Sequence, residues 1–514
     1  MSAKFLQSFG FQESPFSSTN ADTEPNLAQY FVSPPYFSSV KGDPSDPKSN
    51  VILAPRGGGK TAQKVMLEEH AETTQSNPVY CITYDNFRRL PKAGVRSVSL
   101  DWHLTQIIQR MLTGIASLID EGHGENLSSS DKRVLSYCFS QFLGSLTAAD
   151  AQQAFASVKS MPEKAADFLK KHGHNMMAFV MAVAARWGVG KPEFRQIESE
   201  LREEPLSYIF ERLISIVRGF GFSAVYILVD RVDEIPQLLN DAESAFKFIE
   251  PLISDLYLLE TKDCAFKLFL WDQIDAYLGA SSFRGDRIPV YTLNWSQAEL
   301  EDMLSKRLKA YSNGRVASLN NLKDSTVDWD LHKMACALGK GSPRDVIRLV
   351  GRIVDEHTRV EDSVGPINKV SVERGISKFS RERSRELYGN RIDDLLKIGL
   401  PSFTIGELAN DIFRISHQAA RNKIQNFLNV GAVVKSGELE NPGNRPLHQY
   451  SLSDVRLAVV CMSGHDFQDI IEGHAHVCPK CTHLMIREQG EASCDECGHI
   501  FDAGEVTSLH QHCV

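Results

Sequence analysis

The sequence predicts an α/β fold with a parallel sheet, followed by a helical segment and two small modules. Three observations predict it. In VILAPRGGGKTAQK (Val51 to Lys64) an apolar strand runs into a glycine turn and then a helix. In VYILVDRVDE (Val225 to Glu234) a second apolar strand ends in carboxylates. Two C-x-x-C pairs lie near the C-terminus. Apolar strands that alternate with helical patterns indicate βα units and a parallel sheet.

The composition is that of a soluble globular protein. The chain has 514 residues, 42% hydrophobic and 24% charged, with a formal net charge of -9. This length allows two to four domains, and the net charge means that any polyanion contact needs a local basic patch. No apolar run approaches the roughly 18 residues of a membrane span, and the first residues do not resemble a signal peptide. We therefore expect a cytoplasmic protein that does not contact membranes.

The chain divides by composition into five segments. Residues 1–48 are rich in Ser, Pro, Asn and Asp with aromatic islands, and we expect them to pack aromatic side chains onto the first domain. Apolar residues at three-to-four spacing predict that 102–218 is a helical insertion within the α/β domain. The predicted bounds are 1–48 for the lead-in, 49–295 for the α/β core, 296–384 for a helical lid, 385–460 for a compact module and 474–514 for the cysteine-rich tail.

The stretch APRGGGKT has the features of a phosphate-binding loop. Its glycines let backbone N–H groups approach phosphates without a Cβ in the way, and the following helix offers its positive N-terminal end. Lys60 is expected against the β- and γ-phosphates of ATP, and the Thr61 hydroxyl on Mg²⁺. The predicted nucleotide-binding residues are Arg56, Gly57, Gly58, Gly59, Lys60, Thr61 and Asp230.

Ala54 departs from the pattern G-x-x-x-x-G-K-[ST], which has a glycine at that position. The first glycine eases the exit from the strand, so alanine is tolerated there if its φ is negative. The alternative is a chance glycine turn between a strand and a helix. The second motif argues against that alternative.

Carboxylates follow the strand VYILV. Ligands gather at the carboxyl edge of an open parallel sheet, so Asp230 is expected to hold Mg²⁺ together with Thr61. Asp233 and Glu234 come just after it and are the predicted catalytic carboxylates, which polarise or orient the attacking water. The alternative is a group of acidic residues that solvates a loop after a core strand.

The spacing D-x-x-D-E resembles the Walker B segment of STAND-class ATPases, including NACHT and KAP relatives, and a broader resemblance to AAA+ proteins covers about residues 45–355. The resemblance implies a polar sensor at Trp271-Asp272-Gln273 and a lid that opens with LNWSQAELEDMLSKRL. It also implies that Arg344, in GKGSPRDVIRLV, reaches the γ-phosphate as a third catalytic residue. Arg284 and Arg287 are candidate arginine fingers, or residues of a solvated loop. The long insertion departs from compact members, and is either a sensing or partner-binding surface or purely structural.

The segment 385–460 resembles a winged helix. SHQAARNKIQNFLNVG is its predicted second helix, with Ser416 as N-cap and Gly431 as the glycine that ends it. In a DNA-binding protein the residues facing the major groove would be His417, Gln418, Arg421, Asn422 and Gln425. The segment from Arg385 to Arg456 has nine basic and eight acidic side chains. Because no strong basic footprint appears, the alternative is a packing module that senses nucleotide state, as in STAND-type relatives.

The cysteine pairs predict a zinc ribbon. Cys478, Cys481, Cys494 and Cys497 are the predicted Zn²⁺ ligands. Four thiolates form a closed structural site, so the neighbouring His476, His483 and His499 are not needed as ligands. Between Cys478 and Glu505 there are six acidic and two basic residues, which favours protein over nucleic-acid contact. The six other cysteines are scattered, which indicates a reducing compartment.

The resemblance implies an ATP-binding and hydrolysing switch that forms homo- or hetero-oligomers and controls an effector encoded by a separate chain. For prokaryotic relatives it implies a role in anti-phage defence. An origin-recognition-like protein that binds DNA in an ATP-dependent way is the alternative, because such ATPases share the Gly-x-Pro-Arg look of GKGSPRD and carry a winged helix next. A non-hydrolysing scaffold that holds nucleotide is a further alternative.

Overall fold

The computed structural model describes residues 3–87, 90, 94–144, 146–189, 191–239, 241–360, 365–440, 445–487, 491–504 and 506–514. These residues form two compact units. The first is Ser33–Asn294, and the second combines Met1–Val32 with Trp295–Val514. Across those described ranges no helix combines the length and the apolar character that crossing a membrane requires.

The N-terminal segment, predicted as one lead-in, is divided between the two units. Its helices are α1 (Ala3–Ser8), α2 (Leu27–Tyr30) and α3 (Phe37–Lys41). In the first unit, Tyr36 stacks on Tyr291 with 4.9 Å between ring centroids. In the second unit, the buried Arg307 donates to the Pro15 carbonyl at 2.6 Å and pairs with Glu24 at 2.9 Å. The aromatic lead-in therefore contributes to both cores.

A five-stranded parallel sheet is the centre of the first unit, with strand order β2-β3-β4-β1-β5. The strands are β1 (Asn50–Ala54), β2 (Val79–Tyr84), β3 (Ala224–Val229), β4 (Cys264–Trp271) and β5 (Val290–Thr292). Every residue of β1, β2 and β3 is buried, as expected for parallel strands covered on both faces. The edge strand β5 is mostly exposed. The carboxyl ends of β1, β3 and β4 therefore meet at one edge of the sheet.

Helices surround this sheet, and seven of those in the described ranges form the insertion between β2 and β3. The helix after β1 is α4 (Lys60–Thr73). The insertion contains α5 (Leu100–Asp120), α6 (Ser129–Cys138), α7 (Ala148–Ala156), α8 (Pro162–His172), α9 (Met176–Arg186), α10 (Lys191–Leu201) and α11 (Leu206–Gly219). The unit is completed by α12 (Ala242–Ile253), α13 (Leu256–Leu259) and α14 (Asp275–Leu278). Sheet and insertion share one hydrophobic core, so the insertion is part of the domain and not a separate body.

The second unit begins with a helical segment. Its helices are α15 (Gln297–Tyr311), α16 (Leu331–Leu338), α17 (Pro343–Val360) and α18 (Lys369–Tyr388). Ser296 starts α15 with a capping box in which its hydroxyl accepts from the Glu299 N–H, and Glu299 accepts in return. The predicted opening of the lid at LNWSQAELEDMLSKRL is therefore a helix with a well-defined start.

A winged helix follows. Its elements are α19 (Ile392–Leu395), β6 (Ser402–Thr404), α20 (Ile405–Glu407, continued as a π-helix to Ile412), α21 (His417–Asn429), β7 (Val433–Leu439) and β8 (Leu447–Leu452). The three strands form an antiparallel sheet in the order β6-β8-β7. Strands β7 and β8 form the wing, and β6 is a short third strand paired with β8. The Ser416 hydroxyl caps α21 as predicted, accepting from the Ala419 N–H at 3.2 Å.

The chain ends in two short hairpins. After α22 (Val455–Cys461) and α23 (Phe467–Gly473) come β9 (Ala475–Val477), β10 (Leu484–Ile486), β11 (Glu491–Ser493), β12 (Ile500–Asp502) and α24 (Leu509–Cys513). Strand β9 pairs with β10, and β11 with β12. The predicted fold class is confirmed. It is a parallel α/β fold with a glycine loop after its first strand and a helical insertion, followed by a helical segment, a winged helix and a tail of two short hairpins.

Candidate functional site: a phosphate-binding loop at the sheet edge

The loop between β1 and α4 depends on its glycines. Gly57 and Gly59 have φ angles of 80° and 102°, in the left-handed region that side chains with a Cβ rarely adopt. A Cβ on Gly58 would lie 3.0 Å from the Pro55 carbonyl oxygen. The backbone path therefore favours glycine at 57 and 59, and a side chain at 58 would make the Pro55 carbonyl shift. The loop delivers the chain directly to the N-terminal end of α4.

Ala54 fits the strand exit. It is the last residue of β1, is fully buried, and pairs in register with Trp271 of β4. Ala54 is not one of the non-glycine residues that have a positive φ in the described part of the chain. Its φ is therefore negative, which alanine tolerates. Its departure from the usual pattern therefore leaves the backbone of the loop unstrained.

Lys60 and Thr61 are held at the start of α4. Lys60 Nζ donates to the Ala54 carbonyl at 2.9 Å and to the Pro55 carbonyl at 3.3 Å. Thr61 Oγ1 donates to Asp230 Oδ2 at 2.9 Å. A lysine, a hydroxyl and a carboxylate therefore converge at the end of the loop, which is the donor set for phosphate and Mg²⁺.

Asp230 lies at the end of β3 and is fully buried. Burial raises its pKa to about 6, against the opposing effects of Lys64, of the Thr61 hydrogen bond and of Lys60. A buried carboxylate that is stabilised mainly by cations is suited to binding a metal ion, which would replace the lost hydration.

Asp233 and Glu234, predicted as a pair, lie in different environments. Asp233 is buried, and Arg56 donates from Nε to its carboxylate at 3.1 Å and from Nη2 to its carbonyl at 2.8 Å. The Arg56 guanidinium also lies over the Trp271 ring, 4.5 Å from its centroid. Glu234 is exposed, with Arg231 Nε at 3.7 Å. Asp233 therefore fixes Arg56 beside the loop, while Glu234 is open to solvent.

Two further charged side chains belong to this edge and were absent from the predicted set. Lys64, one helical turn after Lys60, is 1% exposed and donates to Asp85 Oδ2 at 2.9 Å. Asp85 directly follows β2. The rule that polar residues at strand ends gather at one edge would have found Asp85. Nothing in the sequence marks Lys64 as buried.

At the end of β4, Asp272 occupies the predicted sensor position. Burial raises its pKa, with Lys60 opposing the shift. Its Oδ1 is buried and has no hydrogen-bond partner among the described residues. Such an atom is expensive to leave unpaired, so this carboxylate is a candidate to bind a water molecule or another ligand close to Lys60.

The predicted arginines are exposed residues with different surroundings. Arg344 is exposed at the second residue of α17, in the other compact unit. Arg284 pairs with Asp286 at 2.7 Å, and Arg287 pairs with Glu260 at 2.5 Å. These exposed ion pairs hold both candidate fingers against their own chain, and the roles of all three arginines stay predictions.

The outer face of α21 is polar and contains no carboxylate. Ala420, Ile424 and Phe427 are its buried residues. The residues predicted to face DNA are all exposed: His417, Gln418, Arg421, Asn422 and Gln425. Side-chain amides one turn apart hydrogen-bond each other, as in Gln418 to Asn422 at 3.3 Å. The helix therefore presents an ordered surface of amides with one arginine.

The four cysteines predicted to bind zinc converge in the second unit. Their sulfur atoms all lie within 4.8 Å of one another. Cys478 Sγ lies 3.7 Å from Cys497 Sγ, and Cys481 Sγ lies 3.5 Å from Cys494 Sγ. A tetrahedral site with Zn–S bonds of about 2.3 Å places its sulfurs about 3.8 Å apart. The residues therefore fit a structural Zn²⁺ site.

The two C-x-x-C turns have the same backbone geometry. In one, Cys478 N–H donates to the His483 carbonyl at 2.9 Å, and in the other Cys494 N–H donates to the His499 carbonyl at 2.9 Å. The residue after each second cysteine, Thr482 or Gly498, has a positive φ. Each cysteine pair lies in the turn of its own hairpin, β9–β10 for Cys478 and Cys481 and β11–β12 for Cys494 and Cys497.

Comparison with known proteins gives similarity only to solved structures. No protein-family profile and no curated protein matches the chain. The ORC1 protein of Aeropyrum pernix, solved in complex with DNA, is 12% identical with a TM-score of 0.38, covering 89% of this chain and 99% of that one. The ORC2 protein of Aeropyrum pernix, in ADPNP-ADP complexes, is 11% identical with a TM-score of 0.36, covering 86% and 97%. Cdc6p of Pyrobaculum aerophilum is 11% identical with a TM-score of 0.30, covering 89% and 97%. Similarity at this level does not indicate a function. The function is inferred below from the glycine loop and from the exposed surface of α21.

Proposed function

We propose that the chain is an ATPase that binds duplex DNA through its winged helix, with nucleotide state regulating that binding. One observation carries the first part of the proposal. The loop after β1, with Lys60 and the Thr61–Asp230 pair at its end, has the donors that a nucleotide triphosphate and its Mg²⁺ require. The exposed face of α21 supports the second part.

In this proposal the N–H groups of the glycine loop bind the β- and γ-phosphates. Lys60 leaves the Ala54 and Pro55 carbonyls to contact the phosphates, and Thr61 and Asp230 hold Mg²⁺. Glu234 orients the attacking water, since Asp233 is already held by Arg56. Arg344 contributes positive charge to the γ-phosphate, as the resemblance implies. Hydrolysis then replaces the ATP bound by the glycine loop with ADP.

The ATPase part is tested with three variants of the full chain. Glu234→Gln should bind ATP with unchanged affinity and lose at least about tenfold in turnover, because it keeps the shape and removes the base. Lys60→Ala should lose ATP binding. Arg344→Ala should slow turnover. A matched control is Glu243→Gln, an exposed carboxylate on α12 that faces Arg96.

ATP turnover that survives Lys60→Ala would reject the glycine loop as the site of ATP hydrolysis. Turnover that is unchanged in Glu234→Gln would show that another group orients the water, whereas a wild-type chain that binds ATP without turnover would favour the nucleotide-holding scaffold.

The DNA part rests on the chemistry of α21. Asparagine and glutamine amides read adenine edges, and arginine reads guanine or phosphate. A helix that exposes Gln418, Arg421, Asn422 and Gln425 and has no carboxylate can enter the major groove without repelling phosphates. The even charge balance of 385–460 as a whole predicts modest affinity with strong dependence on this one surface.

Fluorescence anisotropy of labelled duplex DNA with the full chain, with ATP, with ADP and without nucleotide, tests this part. Arg421→Ala should weaken binding and reduce the slope of log K against log salt by about 1. Lys170→Ala, which removes an exposed cation on α8, is the matched control and should change nothing. Binding with no salt dependence, or equal binding by wild type and Arg421→Ala, would remove DNA from the proposal.

Control of a separate effector chain in anti-phage defence rests on the sequence resemblance alone. Within the described residues no surface favours that function over DNA binding, so it is not the function we propose.

A further inference from the structure

Four amide side chains form one row along α21, on the side of the helix opposite to its buried residues. With 3.6 residues per turn, the members of this amide row fall within about 60° of one another around the helix axis. They are Gln418, Asn422, Gln425 and Asn429, and all four are exposed. The residues on the opposite, buried side are Ala420, Ile424 and Phe427. The amide row is therefore the part of α21 that points away from the core of the winged helix.

The amides of the row are hydrogen-bonded in two pairs. Gln418 Nε2 donates to Asn422 Oδ1 at 3.3 Å, and Gln425 Nε2 donates to Asn429 Oδ1 at 2.9 Å. An amide oxygen accepts through two lone pairs, and an amide amino group donates two hydrogens. Each asparagine therefore keeps an acceptor site and its donors for another partner, while the glutamine one turn before it holds the amide in one orientation. A side chain that is already oriented loses less freedom when it binds.

A donor and an acceptor on one amide match one base of a DNA duplex. In the major groove adenine presents the N7 acceptor beside the N6 amino donor, and asparagine can bond to both. Guanine presents two acceptors, cytosine one donor, and thymine one acceptor beside a methyl group. No residue of α21 is a carboxylate that would accept from cytosine. Arg421, the contact assigned to phosphate above, lies on the flank of the row. The row itself therefore has the chemistry to select adenine.

We propose that Asn422 and Asn429 read adenine in the major groove, with Gln418 and Gln425 as positioning residues that hold their amides. This inference rests on the duplex-binding function proposed above and adds the base that is read. The two asparagines are seven positions apart, which is about 10 Å along a helix axis. That distance corresponds to about three base-pair steps of ~3.4 Å. A helix that lies along the groove would therefore contact two adenines about three pairs apart.

Fluorescence anisotropy with the full chain tests the inference on four duplexes of equal length at one salt concentration. The first contains mixed A·T pairs and the second G·C pairs. The third contains hypoxanthine–cytosine pairs, which lack the 2-amino group of guanine, so that the minor groove resembles A·T while the major groove presents the acceptors of guanine. The fourth is the A·T duplex with 7-deazaadenine, which pairs normally but has no N7 acceptor. These duplexes separate reading in the major groove from reading of the minor groove or of its width.

We expect the A·T duplex to bind at least about tenfold more tightly than the G·C and hypoxanthine–cytosine duplexes. The 7-deazaadenine duplex should lose most of that preference. Asn422→Ala should reduce the preference at least about threefold and keep the affinity for the G·C duplex within about twofold. Gln418→Ala should lower A·T affinity by a smaller factor, with G·C affinity and the thermal unfolding midpoint unchanged. Gln196→Ala, which removes an exposed amide on α10, is the matched control and should change nothing.

The outcomes that contradict the inference differ from those that contradict duplex binding. Equal affinity for the A·T and G·C duplexes would overturn it and leave the DNA-binding function in place. So would a hypoxanthine–cytosine duplex that binds like A·T, or a preference that Asn422→Ala leaves unchanged. If no duplex binds in a salt-dependent way, the function proposed above is rejected and the inference with it.

Discussion

Asp345 Oδ2 lies 2.9 Å from Arg456 Nη1, and both side chains are buried. The same oxygen accepts from Arg383 Nε at 2.8 Å. Arg456 also pairs with Asp454, the N-cap of α22, at 2.6 Å. Asp345 directly follows Arg344 at the start of α17, so the residue next to the predicted γ-phosphate contact is tied to the helix that follows the wing. A movement of this end of α17 would therefore be transmitted through the Asp345–Arg456 ion pair to α22, the helix that follows the wing.

Asp345→Asn is expected to lower the thermal unfolding midpoint of the second unit substantially. It removes the charge of the carboxylate that accepts from the buried Arg456 and the partly buried Arg383, and removal of one partner from a buried pair costs about 3–5 kcal/mol. Differential scanning calorimetry measures it. Asp302→Asn, which breaks an exposed pair with Lys306 on α15, should leave the midpoint unchanged. If both variants melt like the wild type, the ion pairs of Asp345 with Arg383 and Arg456 do not stabilise the second unit.

Binding of Mg²⁺ should weaken below about pH 6. Metal binding needs the ionised carboxylate, and burial raises the pKa of Asp230 to about 6 in the metal-free protein. Above that pH the group is ionised and affinity is flat, while below it each pH unit should reduce apparent affinity about tenfold. The measurement is a Mg²⁺ titration of ATP binding at several pH values.

Asp230→Asn is the control for this titration. It should bind Mg²⁺ weakly and without the inflection near pH 6. A Mg²⁺ affinity of the wild type that is flat from neutral pH to well below the Asp230 pKa would remove Asp230 from the metal site.

The purified protein should contain about one Zn²⁺ per chain, since four thiolates make one closed tetrahedral site. Cys494→Ser should lose the metal and make the hairpins β9–β12 sensitive to protease, because the ribbon core is small and contains the cysteines themselves. Elemental analysis and limited proteolysis measure both effects. His499→Ala should keep the metal. A chain with full zinc content after Cys494→Ser would show that other ligands bind it.

Much of the candidate site around the glycine loop could be predicted because its sequence motifs are local. Strand, glycine turn and Lys-Thr are contiguous, and Asp230 is found because a run of apolar residues ends in it. The cysteines were predicted for the same reason, since each C-x-x-C pair is one turn.

The rest depends on contacts between remote parts of the chain. Glu24 and Arg307 pair across 283 positions, and Asp345 is buried only because Arg383 and Arg456 surround it. Charged residues are usually exposed, so no rule based on composition predicts that Glu24, Arg307 and Asp345 are buried. The edge strand β5 was missed because it has three residues, two of them exposed, and therefore no apolar run.

The last prediction concerns Ala54, the departure from the usual loop. Ala54→Gly restores the glycine of the pattern, yet it should not improve ATP binding or turnover by more than about threefold. Ala54 already has a negative φ and is buried in register with Trp271, so glycine adds only backbone freedom, at a cost of about 0.5–1 kcal/mol in a strand. Gly59→Ala is the contrast. With φ at 102° a Cβ there is strained, and ATP affinity should fall at least about tenfold. Equilibrium binding of a fluorescent ATP analogue and steady-state turnover measure both. A tenfold gain in turnover from Ala54→Gly would mean that alanine limits the loop, and that the strand exit needs more freedom than its φ indicates.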